Sequence, residues 1–325
     1  MASGSSIPDF KAKSARDREA LGREGVESLF RDAARFPLAP VVEAGGSIVF
    51  PHATISTCGH QIAAAVRACL ESGAKKVVAL GVVHALSDEL RSARERVAAG
   101  GRLDDEPTRS VQGPGIPGRA DWQREFSLDH FAFLWKEALR LGICTPGTRE
   151  SSAPGTSERS ALGTSEPSAL RTSDLSALDA ADPPVLVLRY VFLAGGRPDT
   201  LPGIDALREE VEGAVLVATA DPFHHGIGYG DTPEAAKSPD AGGLGLAREA
   251  IERAMSLLEA GDYAEFEAHC AAVKSDARDT GQVLRYLAGP QRATILDLVA
   301  DDMTGPYGAP APTWVAGALI GLTPI

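Results

Sequence analysis

Two apolar runs that each end at a histidine constrain this chain more than any other feature: SIVFPH at 47–52 and AKKVVALGVVH at 74–84. Neither run alternates with polar residues, as expected of strands covered on both faces. Between them, residues 59–73 (GHQIAAAVRACLESG) put Ile62, Ala65, Val66 and Cys69 on one side at helical spacing, and Gly73 can stop that helix. A strand, a helix and a second strand joined this closely make a βαβ unit, so the sheet is at least partly parallel.

The remaining segments extend the same architecture. REFSLDHFAFLWKEALRLG (124–142) reads as an amphipathic helix with aromatic anchors, and GIDALREEVEG as a short helix. VLVLRYVFLAG reads as a strand, and AVLVATADPFHHG (214–226) as one strand running into a histidine pair. GLGLAREAIERAMSLLEAG and DYAEFEAHCAAVKSD read as helices, GQVLRYLAG begins another, and TWVAGALIGL is the last strand. Residues 1–30 look helical and charged, whereas 85–121, polar and rich in Gly and Pro, read as loops near a site. The expectation is one α/β catalytic domain over residues 1–325, with a central mostly parallel or mixed sheet flanked by helices.

One segment stands apart. Residues 152–179 run SAPGTSER, SALGTSEP, SALRTSDL, SALD, an eight-residue repeat that fits neither the helical nor the strand period. Its Ser, Thr, Pro and Gly content cannot repay the entropy of ordering, so a flexible insertion is expected at about 148–182.

Charge and composition exclude several classes. With 32 basic against 44 acidic residues, the formal charge is -12, which disfavours a broad nucleic-acid surface. The first 22 residues contain no apolar core of the kind a secretory signal needs. The most apolar stretch, 183–196, is too short to span a bilayer and is interrupted by Arg189. Four scattered cysteines without a CxxC pair make no disulfide framework, so a cytoplasmic protein without membrane partners is expected. There is no GxGxxG after the first strand, and no GxxxxGK[ST], GxSxG or HExxH.

The chemistry therefore rests on histidines. Of seven, His52, His84 and His224 (or its neighbour His225) sit where core strands end, and the carboxyl ends of such strands line the ligand crevice of open α/β sheets. Imidazoles converging there suggest Fe, Zn, Cu or Ni, with an open coordination position if the centre is catalytic. The residues alone leave the accompanying carboxylate open among Asp221, Asp276 and Asp279, with Asp88 and Asp129 behind them. His60 and His269, at the start of and within helices, read as surface or supporting groups.

The stretches FPHATISTCG (50–59), ALGVVH (79–84), EFSLD (125–129), ATADPFHHG (218–226), SDAR followed by QVL (275–284) and TWVAGAL (313–319) resemble, in order, the MEMO family. That family is itself similar to the class III (LigB-type) extradiol ring-cleavage dioxygenases. The resemblance implies a MEMO/LigB-like fold with His52, His84 and Asp276 as ligands of Fe(II) and His224 as the acid–base group, His225 beside it being the other catalytic candidate. It puts Asp221, Arg278 and Ser127 around them, as supporting or substrate-contacting groups. A small aromatic substrate and O2 would be the partners, with self-association allowed. The chain departs from MEMO proteins at His84-Ala85, where they pair two histidines, and at Glu125-Phe126-Ser127, where they carry Glu-His-Ser. It also has an aspartate where they have a cysteine, which favours a two-histidine, one-carboxylate site. The alternatives are a MEMO-like metal protein with another redox or interaction role, and a zinc hydrolase.

Overall fold

The computed structural model describes residues 7–84, 86–143 and 182–325. The octapeptide repeat, its expected flexible insertion and Cys144 lie outside the described residues. In chain order the elements are α1 (Ile7–Ala33), α2 (Ala39–Glu43), β1 (Ser47–Phe50), α3 (Ile55–Glu71), β2 (Lys76–Val82), α4 (Asp88–Ala98), β3 (Ser110–Gln112), α5 (Asp129–Leu141) and β4 (Val185–Phe192). Then follow α6 (Ile204–Val211), β5 (Val215–Thr219), β6 (Phe223–Gly226), α7 (Ala241–Ala260), α8 (Tyr263–Ala272), α9 (Ala277–Ala288), β7 (Gln291–Asp302), α10 (Thr304–Tyr307) and β8 (Thr313–Pro324).

The strands form one eight-stranded sheet in the order β3-β4-β2-β5-β1-β8-β6, with β7 pairing β8 outside this path. β4, β2, β5 and β1 run parallel; β3, β6, β7 and β8 pair antiparallel. The fold is thus α/β with a mixed sheet and helices on both faces. One core cluster packs α1, α3 and α5 against one face, through Phe30, Ile62, Phe131 and their neighbours. The other packs α7, α8 and α9 on the opposite face, through Ile251, Phe266 and Leu284. β1 and β2 are buried on both faces, as their unbroken apolar runs require. Among the described residues no helix is long and apolar enough to cross a membrane.

Three expectations are corrected. Residues 85–121 are not all loop, because α4 lies within them. Ser87 caps its first turn by accepting from the Leu90 N–H at 3.3 Å, and only Leu90 and Ala93 are buried, so its apolar stripe is too thin to read as amphipathic. Residues 214–226 are two strands with different neighbours: β5 sits between β2 and β1, whereas β6 pairs with β8. The chain crosses between them at Ala220–Pro222. Finally, the sequence gives no sign of β7; among the described residues it pairs only with β8, and its exposed Arg292, Thr294 and Leu296 alternate as an edge strand permits.

Candidate metal centre

The strand order decides which residues meet. β2, β5 and β1 are adjacent and parallel, so their carboxyl ends carry His84, Asp221 and His52 to one crevice. β6 delivers His224, and the turn into α9 delivers Asp276. That turn is stitched to the β5–β6 crossing twice: the Asp276 N–H donates to the Asp221 carbonyl at 3.2 Å, and the His224 N–H to the Val273 carbonyl at 3.3 Å.

Three donor atoms converge. His84 Nε2 lies 3.2 Å from His52 Nε2 and 3.0 Å from Asp276 Oδ2, and His52 Nε2 lies 3.4 Å from the same oxygen. His224 Nε2 approaches Asp276 Oδ2 at 3.5 Å, and Asp221 Oδ2 approaches His52 Nε2 at 3.6 Å. His52, His84 and Asp276 form one set that could hold an ion; Asp221, His224 and Asp276 form an overlapping one.

The far side of each of the first two rings fixes its tautomer. Thr219 Oγ1 spends its one proton on the Phe50 carbonyl at 3.0 Å, so it must accept from His52 Nδ1–H, also at 3.0 Å. Glu125 Oε1 accepts from His84 Nδ1–H at 3.1 Å. Both Nε2 lone pairs then point inward, at each other and at a carboxylate. Such a set repels itself until a cation enters, and imidazoles oriented from behind in this way are the usual support of a metal site. Without a metal, a proton on His84 takes that role. Burial alone would lower the pKa of His84, but Asp276 and Glu125 outweigh it and hold it well above the ordinary imidazole value. Burial would likewise raise Asp276, yet His84 and His224 hold it well below the usual carboxylate range. The donors therefore fit a divalent ion taken by imidazole and carboxylate.

Glu125 is the residue that sequence reasoning left without a role. Fully buried, it accepts from the Phe126 and Ser127 N–H groups at 2.8 and 3.0 Å and from the His84 N–H. Burial opposes its ionisation, but His84 and these N–H groups bring its pKa down to about 2. The available signal was its place in the EFSLD stretch, where the resemblance to MEMO proteins already singled out Glu125-Phe126-Ser127.

The other expected residues fall as follows. Asp221 accepts from the His52 N–H at 3.0 Å and so sets the direction of that ring as well as facing it. Ser127 does not reach the cluster; its hydroxyl donates to the Val82 carbonyl at 2.9 Å and accepts from the Val82 N–H at 3.1 Å, clamping the strand end that leads to His84. Arg278 is half-buried in the first turn of α9, where its carbonyl accepts from the Gln282 amide. His225 faces away from His224, because successive strand residues point to opposite sides. It stacks on Phe223 at 5.6 Å, meets Trp314 edge-on at 5.7 Å, faces Asp231 at 3.0 Å, and accepts from the Lys237 N–H. Asp279 faces Arg94 at 2.7 Å and accepts from the Ala194 N–H at 3.0 Å, outside the ligand sets.

Above the donors lies a cavity of about 30 Å³, walled also by Phe10, Ala53, Phe126, Met303, Tyr307 and Val315. That volume holds an ion and a water or two, but no aromatic ring. No family model and no curated protein matches the chain.

Proposed function

We propose that the protein is a mononuclear Fe(II)-dependent oxygenase of the extradiol type, cleaving a catechol, an aminophenol or a related ring with O2. The observation that carries this reading is the convergence of two tautomer-fixed imidazoles and one carboxylate, His52, His84 and Asp276, within 3.4 Å of one another. Three protein ligands leave other coordination positions for substrate. Iron held there would supply the one-electron chemistry that couples an electron-rich ring to O2.

The chain's own groups do the rest. Asp276 offsets half of the ion's charge, and Thr219 and Glu125 keep the two imidazoles as neutral donors. His224 carries its Nε2 into the same pocket, where it takes the proton of a ring hydroxyl and later returns one. Phe126, Met303 and Val315 make the pocket's walls beside the donors apolar. Free, buried thiols at Cys58, Cys69 and Cys270 support a cytoplasmic setting.

The test is anaerobic reconstitution with Fe(II), followed by O2 uptake across catechols and aminophenols. Turnover of at least one supports the reading; bound iron with no uptake on any of them sinks it. The small volume of the cavity, about 30 Å³, favours a second reading, a MEMO-like metal protein with another role. A zinc hydrolase is separated by metal analysis, since it would retain zinc, hydrolyse esters and take up no O2.

A further inference from the structure

We propose that the first half of α1 is a gate over this pocket: Phe10 is its plug, Gly22 its hinge, and an uncharged ring is what it admits. Only the identity of what enters rests on the metal reading above.

The hinge is visible in the backbone. Gly22 has φ 57° and ψ -172°, which splits α1 into two helices. A Cβ there would meet nothing within 4 Å, so glycine is required for its conformation and not for space.

The two halves bury their largest side chains in different cores, with Leu21, just before the hinge, packing on the main one. Val26 and Phe30, after the hinge, are buried in the cluster that covers one face of the sheet. Phe10, before it, belongs to a separate small cluster with Ala53, Phe126, Met303 and Val315, all of which line the metal pocket. Phe10 is 6% exposed and lies 4.9 Å from the Phe126 ring and 6.2 Å from Tyr307. Swinging the segment around Phe10 away would open the pocket and cost the main core only its contact with Leu21.

Among the described residues the polar holds from that half to the rest of the fold are few. Lys11 Nζ donates to the Glu125 carbonyl at 2.6 Å and the Gln123 carbonyl at 3.4 Å. Arg18 faces Asp129 at 3.6 Å and approaches Nδ1 of the buried His130 at 3.4 Å. Water can replace the Lys11 contacts at small cost. Some such motion is needed, because a cavity of about 30 Å³ admits no ring. Among the described residues no lysine or arginine lines it, and its walls other than the donors are apolar or aromatic, so the fitting occupant is uncharged.

The experiment uses metal-free full-length protein carrying Ala53→Cys, a pocket position 2% exposed. The rate at which N-ethylmaleimide labels that thiol is followed by peptide mass, which separates it from the native cysteines. Gly22→Ala disfavours the hinge conformation without touching the pocket. It is expected to raise labelling at least about tenfold, as an opening equilibrium shifted by that factor would. Phe10→Ala should do the same. Unchanged labelling in a Gly22→Ala protein with an unaltered circular-dichroism spectrum overturns the gate. Should Gly22→Ala fail to fold, Lys11→Ala with Arg18→Ala, which releases these polar holds, is read by the same two outcomes. Failure of the metal reading would show as absence of bound ion and leaves these rates untouched.

Discussion

His52 and His84 face each other through their Nε2 atoms at 3.2 Å, while Thr219 and Glu125 hold their Nδ1 hydrogens from behind. Neither ring can turn its lone pair away without abandoning a buried acceptor. The pair is thus set up to share one positive charge, whether a proton or a metal ion. Metal must displace the proton on His84, so binding should release protons and weaken as pH falls.

Under the proposed function Asp276 would supply the anionic ligand, which parallel titrations of three alanine variants can check. Asp276→Ala should lose Fe(II) affinity by about two orders of magnitude or more, since the ion would face two neutral imidazoles alone. Asp279→Ala should keep the affinity and lose about 3 kcal/mol of stability, because it strips Arg94 of its buried partner. Asp221→Ala should fall between, by misdirecting His52. Equal affinity for Asp276→Ala and the parent protein would remove it from the ligand set.

Glu125 should act on the metal without touching it. Glu125→Gln keeps the shape but replaces the charge that orients His84, and should weaken metal binding by about 10- to 100-fold. Glu125→Asp, which restores the charge, should recover part of that loss. Isothermal titration with Zn(II) reads both; identical affinities for all three proteins would make Glu125 a folding residue only.

The sequence showed this site where chain direction and strand polarity decide it. Unbroken apolar runs ending at His52 and His84 could only be core strands, and parallel core strands bring their carboxyl ends together. It did not show which of the two adjacent histidines faces the site. That depends on the register of β6 against β8, where His224 meets Val315 and His225 meets Trp314. Nor did it show Glu125 and Thr219 as supports, since a hydrogen bond from behind a ring has no spacing signature along the chain. β7 escaped notice because an edge strand with exposed Arg292 and Thr294 lacks the long apolar run of a central one.

His130 predicts an acid limb. It is buried in α5, its Nε2 has no hydrogen-bond partner among the described residues, and burial together with Arg18 lowers its pKa from 6.5 to about 3. The unfolded chain therefore takes up this proton first. Its stabilising effect is complete above pH 6.5 and is lost progressively as pH falls toward about 3. Glu125 adds a second loss, from its ordinary 4.5 down to about 2. His130→Phe should flatten the decline between pH 6.5 and 4.5, measured by urea unfolding of metal-free protein, by as much as a few kcal/mol. An unchanged slope would place the acid sensitivity elsewhere.

The two adjacent histidines should separate function from stability. His224 shares the pocket with Asp276, and its buried Nδ1 has no partner among the described residues, so its removal breaks no hydrogen bond there. His225 stacks on Phe223, meets Trp314 edge-on and accepts a backbone N–H from Lys237, so removing it leaves a gap and an unmet donor. His224→Ala should retain most bound metal and melt near the parent temperature, while turnover falls by about 100-fold or more as the acid–base group is lost. His225→Ala should bind metal as the parent does and lose about 1–3 kcal/mol of stability. The measurements are metal content after gel filtration, thermal melting and O2 uptake on whichever ring proves to be a substrate. If His224→Ala comes off the column empty, His224 is itself a ligand, and the ion sits between the two overlapping donor sets that share Asp276. If His225→Ala is the variant that loses metal, the register of β6 on β8 is shifted by one residue, because only that slip exchanges the two faces.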